Sequence, residues 1–460
     1  MPRSAPFEGT LRRSLTFRDL LVYGLLFIAP MAPVGIFGAL DARSGGAVAL
    51  VYLVATVAMG LTALSYARMV RVVPRAGSVY AYARAGLGRP AGFAAGWMAS
   101  LDYLLIPAVA YLFCGFAMAE LVPGVDRWVW TLLAVLVTGA LNLSGVRAAA
   151  TVGFAVLALE IAVLLVFVAA AAVVLVREGP ARGWLTPFTG DAGFSAVAVL
   201  GAVSVAVLSY LGFDAIANFA EESVGGPGRV GRAVLTCLVV AGTLFVLQTY
   251  LAAVLTPVAS AEVGPEAEGT LFYDTARAAV GGWLQTAVAA SKAVGAAFAA
   301  LAGQAAGARL LFAMGRDRRL PGWLAVVHPR TGVPWRALLV SAVVTLVAAV
   351  WAARAVNGLD RLVSLVNVGA LTAFALLHLS VVGYFAVRRR GGSAVRPVAH
   401  VALPLAGFAV VVAVVVTASG EARALGAAWL VLGAVVWAVG ERRARRREGG
   451  RAPDGVGGGR

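Results

Sequence analysis

Residues 27–38 read Phe27-Ile28-Ala29-Pro30-Met31-Ala32-Pro33-Val34-Gly35-Ile36-Phe37-Gly38. They lie inside an uncharged apolar run, Leu20 to Leu40, bounded by Asp19 and Asp41. About 20 apolar residues suffice to cross the hydrocarbon core of a bilayer as a helix. This run cannot do so unbroken. Pro30 and Pro33 each lack the amide that the helical ladder needs and clash with the preceding turn. In lipid no water satisfies the freed backbone, so a break survives only where protein or an internal cavity replaces it. A second stretch has the same character. Ser209-Tyr210-Leu211-Gly212-Phe213-Asp214-Ala215-Ile216 sets a glycine beside an acid in the middle of the run Ala192 to Ala220. These are the first and sixth apolar runs. They correspond if ten helices form two halves of five, and interrupted helices at corresponding positions point to a midplane binding site between inverted repeats.

The rest of the chain agrees with lipid as its solvent. Of 460 residues 61% are hydrophobic and only 13% charged, with a mean hydropathy of +0.88. A soluble domain is roughly 25% charged. Between the two broken runs lie Ala47–Ala67, Pro90–Ala119, Trp128–Val146 and Ala148–Val176. After them come Ala233–Ala261, Ala278–Ala308, Ala337–Ala353, Leu362–Val387, Pro397–Gly420 and Ala424–Gly440, which makes twelve spans. The net charge of +16 does not indicate nucleic-acid binding, because the arginines sit between spans. Counted by loop, 29 bases fall on the side of the termini and eight on the other. By the positive-inside rule both termini are expected in the cytoplasm of a cell-membrane protein. The same count gives the outer side a slight acidic excess, which would favour uptake of a cation. The expected organisation is an arm at 1–18, a ten-helix core at 19–390, two further helices at 391–440, and a disordered basic tail at 441–460 near anionic lipid.

Several chemistries are excluded. Cys114 and Cys237 lie in apolar runs, and His328, His378 and His400 lack metal-ligand spacing. No His-Glu-x-x-His, Gly-x-Gly-Asp or phosphate-loop motif occurs. No cofactor is expected. A membrane enzyme and a primary pump therefore lose to a secondary transporter, with a transport-inactive sensor as the remaining alternative.

Three stretches carry a family resemblance. Pro74-Arg75-Ala76-Gly77-Ser78-Val79-Tyr80 follows the second span. Gly212-Phe213-Asp214-Ala215 with Glu221-Glu222 and Pro227 closes the sixth. Arg309-Leu310-Leu311-Phe312-Ala313-Met314-Gly315-Arg316-Asp317 ends the eighth, with Leu320-Pro321 and His328-Pro329 beyond. Together they resemble the cytoplasmic-side motifs of the amino acid–polyamine–organocation transporters. The resemblance implies the ten-helix inverted-repeat fold of the leucine transporter plus two helices, with a substrate between helices one and six. Within the family, Trp97-Met98-Ala99-Ser100-Leu101-Asp102-Tyr103-Leu104-Leu105-Ile106-Pro107 looks most like the putrescine importers. Amino-acid members usually carry a Gly-Ser-Gly turn in helix one for the substrate carboxylate. Met31-Ala32-Pro33-Val34-Gly35 departs from it, and Pro33 has no N–H to offer. A polyamine such as putrescine is thus favoured, with an amino-acid permease or exchanger as the alternative.

Ionisable groups inside spans are expensive and therefore candidate functional residues. Asp102 is a candidate for binding an ammonium, with Tyr103 beside it for cation–π contact. Tyr210 and Asp214, four apart, would share a helical face, with Phe213 as an aromatic lid. Pro33, Gly35 and Gly212 complete the expected substrate site. Glu221 and Glu222 are expected to meet Arg229, Arg232 or another cytoplasmic arginine instead. The resemblance further implies that Glu160 occupies the position of a family lysine on helix five, where a sodium ion sits in related carriers. The chain's only lysine, Lys292, lies on span eight. An ion pair between the two, broken by a proton, is the expected coupling element. The expected partners are thus a small cationic or amino-acid substrate, protons and membrane lipid, without nucleic acid.

Overall fold

The computed structural model describes residues 13–122, 124–144, 146–191, 194–258, 262, 269–355, 357–388, 395–417 and 420–449. Among these residues there is no β-strand, only an isolated bridge between Leu15 and Ser223. The first run is three pieces: α1 (Phe17–Ile28), a 3₁₀ turn (Ala32–Gly35) and α2 (Phe37–Ser44). Then follow α3 (Val48–Val72), α4 (Val79–Gly86), α5 (Arg89–Leu121), α6 (Arg127–Ser144) and α7 (Val146–Glu178). After a short α8 (Thr186–Thr189), the sixth run comprises α9 (Ala196–Ala206) and 3₁₀ segments Val207–Tyr210 and Phe213–Phe219. The second half continues with α10 (Pro227–Leu255), α11 (Leu271–Ala279) and α12 (Gly282–Arg316). The chain then runs through α13 (Trp335–Arg354), α14 (Gly358–Val382), α15 (Leu403–Thr417) and α16 (Gly420–Gly449). Among the described residues, eleven helices are long and apolar enough to cross a membrane, and the apolar Arg127–Leu143 is shorter. This is a multi-pass membrane protein.

Local chemistry sets the ends of the decisive helix. Thr16 caps α1 reciprocally: Asp19 N–H donates to Thr16 Oγ1 and Thr16 N–H to Asp19 Oδ2, at 3.3 and 2.8 Å. Such a box satisfies two orphan amides at once. Its other end stops at Ala29, with φ of 58°, immediately before Pro30.

The long helices overrun the bilayer. At 35 residues α12 is about 53 Å long, against a hydrocarbon core of about 30 Å. One part of it lies beside the broken helices and its C-terminal end reaches the arginine-rich face. It packs tightly because it is built of Ala and Gly, the small residues that let membrane helices approach. A Cβ at Gly307 would stand 2.9 Å from the Tyr103 carbonyl on α5.

α16 is fastened to α5 by a reciprocal pair of indoles. Trp97 Nε1 donates to the Trp429 carbonyl at 2.7 Å and Trp429 Nε1 to the Trp97 carbonyl at 2.9 Å, with the rings stacked at 4.6 Å. The helix then continues through residue 449. Residues 441–449 are thus helical where the composition predicts a disordered tail. Ala, Arg and Glu are good helix formers, and the Glu441 carboxylate accepts from Arg319 at 3.1 Å. Residues 450–460 and 1–12 lie outside the described residues.

Candidate functional site

The two breaks meet. In the sixth run Leu211 is extended and Gly212 has φ of 127°, a conformation that disfavours any side chain. A Cβ there would also stand 2.9 Å from the Ile28 amide nitrogen. Gly212 is therefore the point where the backbone of one interrupted helix touches that of the other.

Each break is held by side chains from neighbouring helices. The Pro30 carbonyl accepts from Gln248 Nε2 on α10 at 2.9 Å. The Met31 carbonyl accepts from Lys292 Nζ on α12 at 3.1 Å, and the ammonium lies 5.1 Å from the centre of the Phe113 ring. At the sixth run, the Gly212 amide donates to Asp214 Oδ1 at 3.1 Å, and the Tyr103 hydroxyl donates to Asp214 Oδ2. Both Asp214 oxygens are thus engaged. Asp102 is buried beside Tyr103, near enough to Asp214 to interact electrostatically, and its Oδ1 has no hydrogen-bond partner.

A cavity of about 50 Å³ lies between the breaks. Ala29 and Ala32, Ile106 and Phe113, Leu208, and Lys292 contribute to its walls. Lys292 is its single charged lining residue. Above it opens a vestibule of about 1150 Å³ that shares Ile36, Phe113 and Leu208 with the cavity and reaches Arg43, Arg127, Arg361 and Glu421.

The opposite end of the same helices is closed by charge. Arg309 holds Glu222 with two hydrogen bonds, 2.5 and 3.0 Å, while both side chains are almost wholly buried. The Glu222 carbonyl accepts from the Ser14 and Leu15 amides, tying in the chain ahead of α1. Arg316 holds Glu221 with bonds of 3.0 and 2.8 Å, and the Ala76 amide donates to the same carboxylate at 3.0 Å. Burial pushes the Glu221 carboxyl up, but Arg316 and the Ala76 amide outweigh it and hold it below the ordinary carboxylate value. Tyr80 and Arg84 both donate to Asp317 Oδ2. The three stretches that carry the sequence resemblance are therefore one closure. Glu221 and Glu222 meet Arg316 and Arg309, not the nearby Arg229 and Arg232.

The structure relocates several expected site residues. Tyr210 and Asp214 share no helical face, because the break at Leu211–Gly212 cancels the four-residue relation. The Tyr210 hydroxyl turns to α3, bonding the Tyr52 carbonyl at 3.0 Å and Thr56 at 2.7 Å. Phe213 is packed between Tyr66 and Phe374, with ring centres 6.0 and 6.1 Å away, and does not line the cavity. Asp102, Tyr103 and Asp214 gather in one buried cluster beyond the cavity floor, with the Phe27 ring between, 6.5 Å from that of Tyr103. Pro33 is buried in the 3₁₀ turn, and Gly35 lines the vestibule. Glu160 and Lys292 do not bond. Both Glu160 oxygens are buried without a hydrogen-bond partner; Lys292 reaches instead the Met31 carbonyl in the break, which also accepts from the Val34 amide. Sequence reasoning misses Gln248, although it is the only carboxamide in the span Ala233–Ala261. A lone amide in an apolar run is the signal that points to it.

Comparison with known proteins supplies the class. Residues 20–439 match the family model described as amino acid permease. The chain belongs to that family of transporters and is not an enzyme. It is 30% identical over 435 residues to the low-affinity putrescine importer PlaP of Escherichia coli (strain K12), covering 92% of this chain and 93% of the relative. It is 28% identical to the branched-chain amino acid permease BcaP of Bacillus subtilis (strain 168), covering 82% and 81%. To the methylthioribose transporter of the same organism it is 27% identical, with 81% of each chain covered.

Proposed function

We propose that this chain is a secondary active importer of a small amine-bearing solute, working by alternating access and coupled to protons. The observation that carries the reading is the meeting of two interrupted helices at a cavity, open through a vestibule at one end and closed at the other by ion pairs, one of them buried. That is the arrangement of a carrier loaded from one side. On this reading the spans number twelve, Arg127–Leu143 included, ten of them as two inverted halves of five and two appended. Residues 19–390 form the transport core, the termini are cytoplasmic, and the vestibule faces outward. Putrescine and amino acids, which similar proteins carry by name, are the solutes to test first.

The solute enters the cavity between Gly35, Phe113 and the 3₁₀ turn that contains Pro33. Its ammonium is taken by Asp102, whose free Oδ1 is an acceptor already desolvated. Tyr103, Phe213 and Asp214 shape the cluster around it, with Gly212 as the contact between the moving helices. Glu160 is the proton site: its two unpartnered oxygens are buried near Lys292, and Lys292 holds the break of the first helix through the Met31 carbonyl. Protonation of Glu160 changes the field at that lysine and so the hold on the break.

The test is uptake of labelled putrescine and amino acids into proteoliposomes with and without an inward proton gradient. The gradient is expected to drive accumulation, and Glu160→Gln to abolish its pH dependence while leaving substrate binding measurable. Full gradient-driven accumulation by Glu160→Gln would remove Glu160 from the coupling. Absence of uptake and binding for every amine and amino acid would sink the transporter reading.

A second reading, an amino-acid permease or exchanger, is favoured by one observation. The cavity wall carries a cation, which suits a carboxylate.

A further inference from the structure

The charges along the path have an order. A solute entering through the vestibule passes Arg43 and Arg127, neither of which forms an ion pair among the described residues, and Arg361, which Glu421 offsets at 3.3 Å. It then reaches Lys292 in the cavity wall. The first carboxylate on the floor side, Asp102, lies eleven residues before Phe113 on α5, about 16 Å along the helix. Lys292 sits against the Phe113 ring. Lys292 and Asp102 are therefore successive stations on the path rather than two ends of one small binding site.

Lys292 is built to receive an anion. Its ammonium has three donors, and the Met31 carbonyl takes one. The remaining donors lie in a cavity whose other walls are largely apolar, where a fixed charge is screened far less than in water. The first break offers few amides in its place. Pro30 and Pro33 have none, and those of Ala32, Val34 and Ile36 are spent on the turn, donating to Ala29, Met31 and Pro33 carbonyls. Glu160 interacts with Lys292 electrostatically but does not line the cavity or hydrogen-bond the lysine.

We infer that Lys292 is a specificity-determining residue that selects solutes bearing a carboxylate and rejects dications, so that the transported amine is an amino acid and not a diamine. The inference rests on the transporter reading above and narrows it. It also replaces the sequence-based argument from Pro33: the amide nest is depleted, but a lysine from α12 supplies the anion receptor in its place.

The experiment uses the full-length protein in proteoliposomes and matched pairs that differ in one carboxylate: 4-aminobutyrate against propylamine, ornithine against putrescine, and leucine against isopentylamine. Initial uptake and displacement of bound label are measured for wild type, Lys292→Met and Lys292→Arg. Wild type is expected to prefer the carboxylate-bearing member by about tenfold or more, the worth of a charge-assisted hydrogen bond. Lys292→Met should collapse that ratio and Lys292→Arg should keep it. Preference of the wild type for putrescine overturns the inference and leaves the transporter reading intact, and needs no folded variant. An unchanged ratio in a folded Lys292→Met does the same. Failure to bind or carry any member of the three pairs overturns both.

Discussion

At the arginine-rich end, Glu221, Glu222 and Asp317 each hold an arginine across the helices that flank the site. At the other end the same helices stand apart around a vestibule, and the one ion pair lining it, Arg361–Glu421, is about half exposed. Of the pairs at the arginine-rich end, Arg309–Glu222 is almost wholly buried, while Arg316–Glu221 and Arg84–Asp317 are partly exposed; Arg182–Asp41, also buried, holds α2 but does not line the vestibule. An exposed pair is worth little, about 0–1 kcal/mol, so it cannot hold an entrance closed. A buried pair adds little over apolar packing of the same volume, yet losing one partner is expensive. The buried Arg309–Glu222 pair therefore helps fix which end is shut without making the shut state too stable to leave. In an alternating carrier that balance is the requirement.

The sharpest way to break this contrast is to remove one side of the Arg309–Glu222 pair, whose side chains are 2% and 4% exposed. Arg309→Ala leaves a buried carboxylate uncompensated, at a cost of about 3–5 kcal/mol. The closed end should loosen by two orders of magnitude or more in population. Accessibility of a cysteine introduced near Ser223 to a membrane-impermeant thiol reagent, in inside-out vesicles, reads this directly. Arg361→Ala should change nothing comparable at the vestibule. Equal accessibility in Arg309→Ala and wild type would show that apolar packing, not charge, closes this end.

Asp102→Asn comes next. It keeps the shape and removes the charge beyond the cavity floor, and should raise the half-saturation concentration for the preferred amine at least about tenfold, from a lost charge-assisted bond of about 1.5–3 kcal/mol. Unaltered uptake kinetics at normal expression would leave Asp102 a structural residue. Gly212→Ala tests the contact between the breaks. Both the φ of 127° and the 2.9 Å approach to Ile28 resist a methyl group, and strain of this kind costs about 1–3 kcal/mol. Lower thermal stability with reduced uptake is expected, and Gly35→Ala, at negative φ, should be milder in the same assays.

Much of this architecture is legible in the amino-acid sequence. The breaks are plain there because Pro30, Pro33 and Gly212 act locally, through a missing amide or a missing Cβ. Glu221 and Glu222 can be assigned to arginines because charge must be matched at a buried end. What escapes is whatever depends on the direction of a side chain after a break. Tyr210 and Asp214 group together only if the helix is continuous, and the break sends one to α3 and the other to α5. The partner of Lys292 eludes sequence reasoning for a related reason. A broken helix frees its carbonyls, and no sequence pattern counts those as competitors for a lysine.

The smallest effect expected concerns acid. Glu221 is partly exposed, and Arg316 with the Ala76 amide holds its carboxyl below the ordinary value despite burial. A carboxylate with a depressed folded-state value adds stability that is fully present above its unfolded value, roughly 4.3 for glutamate. That contribution is lost as pH falls through the lower folded-state value. The closed end should therefore be indifferent to pH across the neutral range and loosen only in acid below the ordinary glutamate value. Glu221→Gln should remove this acid-sensitive step from the thiol-accessibility profile, while Glu222–Arg309 keeps the end mostly shut at neutral pH. The shift is expected to be modest, because solvent screens a pair of this exposure. A wild-type closure that opened already between about pH 6 and 7, well above the ordinary glutamate value, with the step surviving in Glu221→Gln, would assign the sensitivity to another group. Glu221 would then keep only its geometric role of joining Ala76 to Arg316.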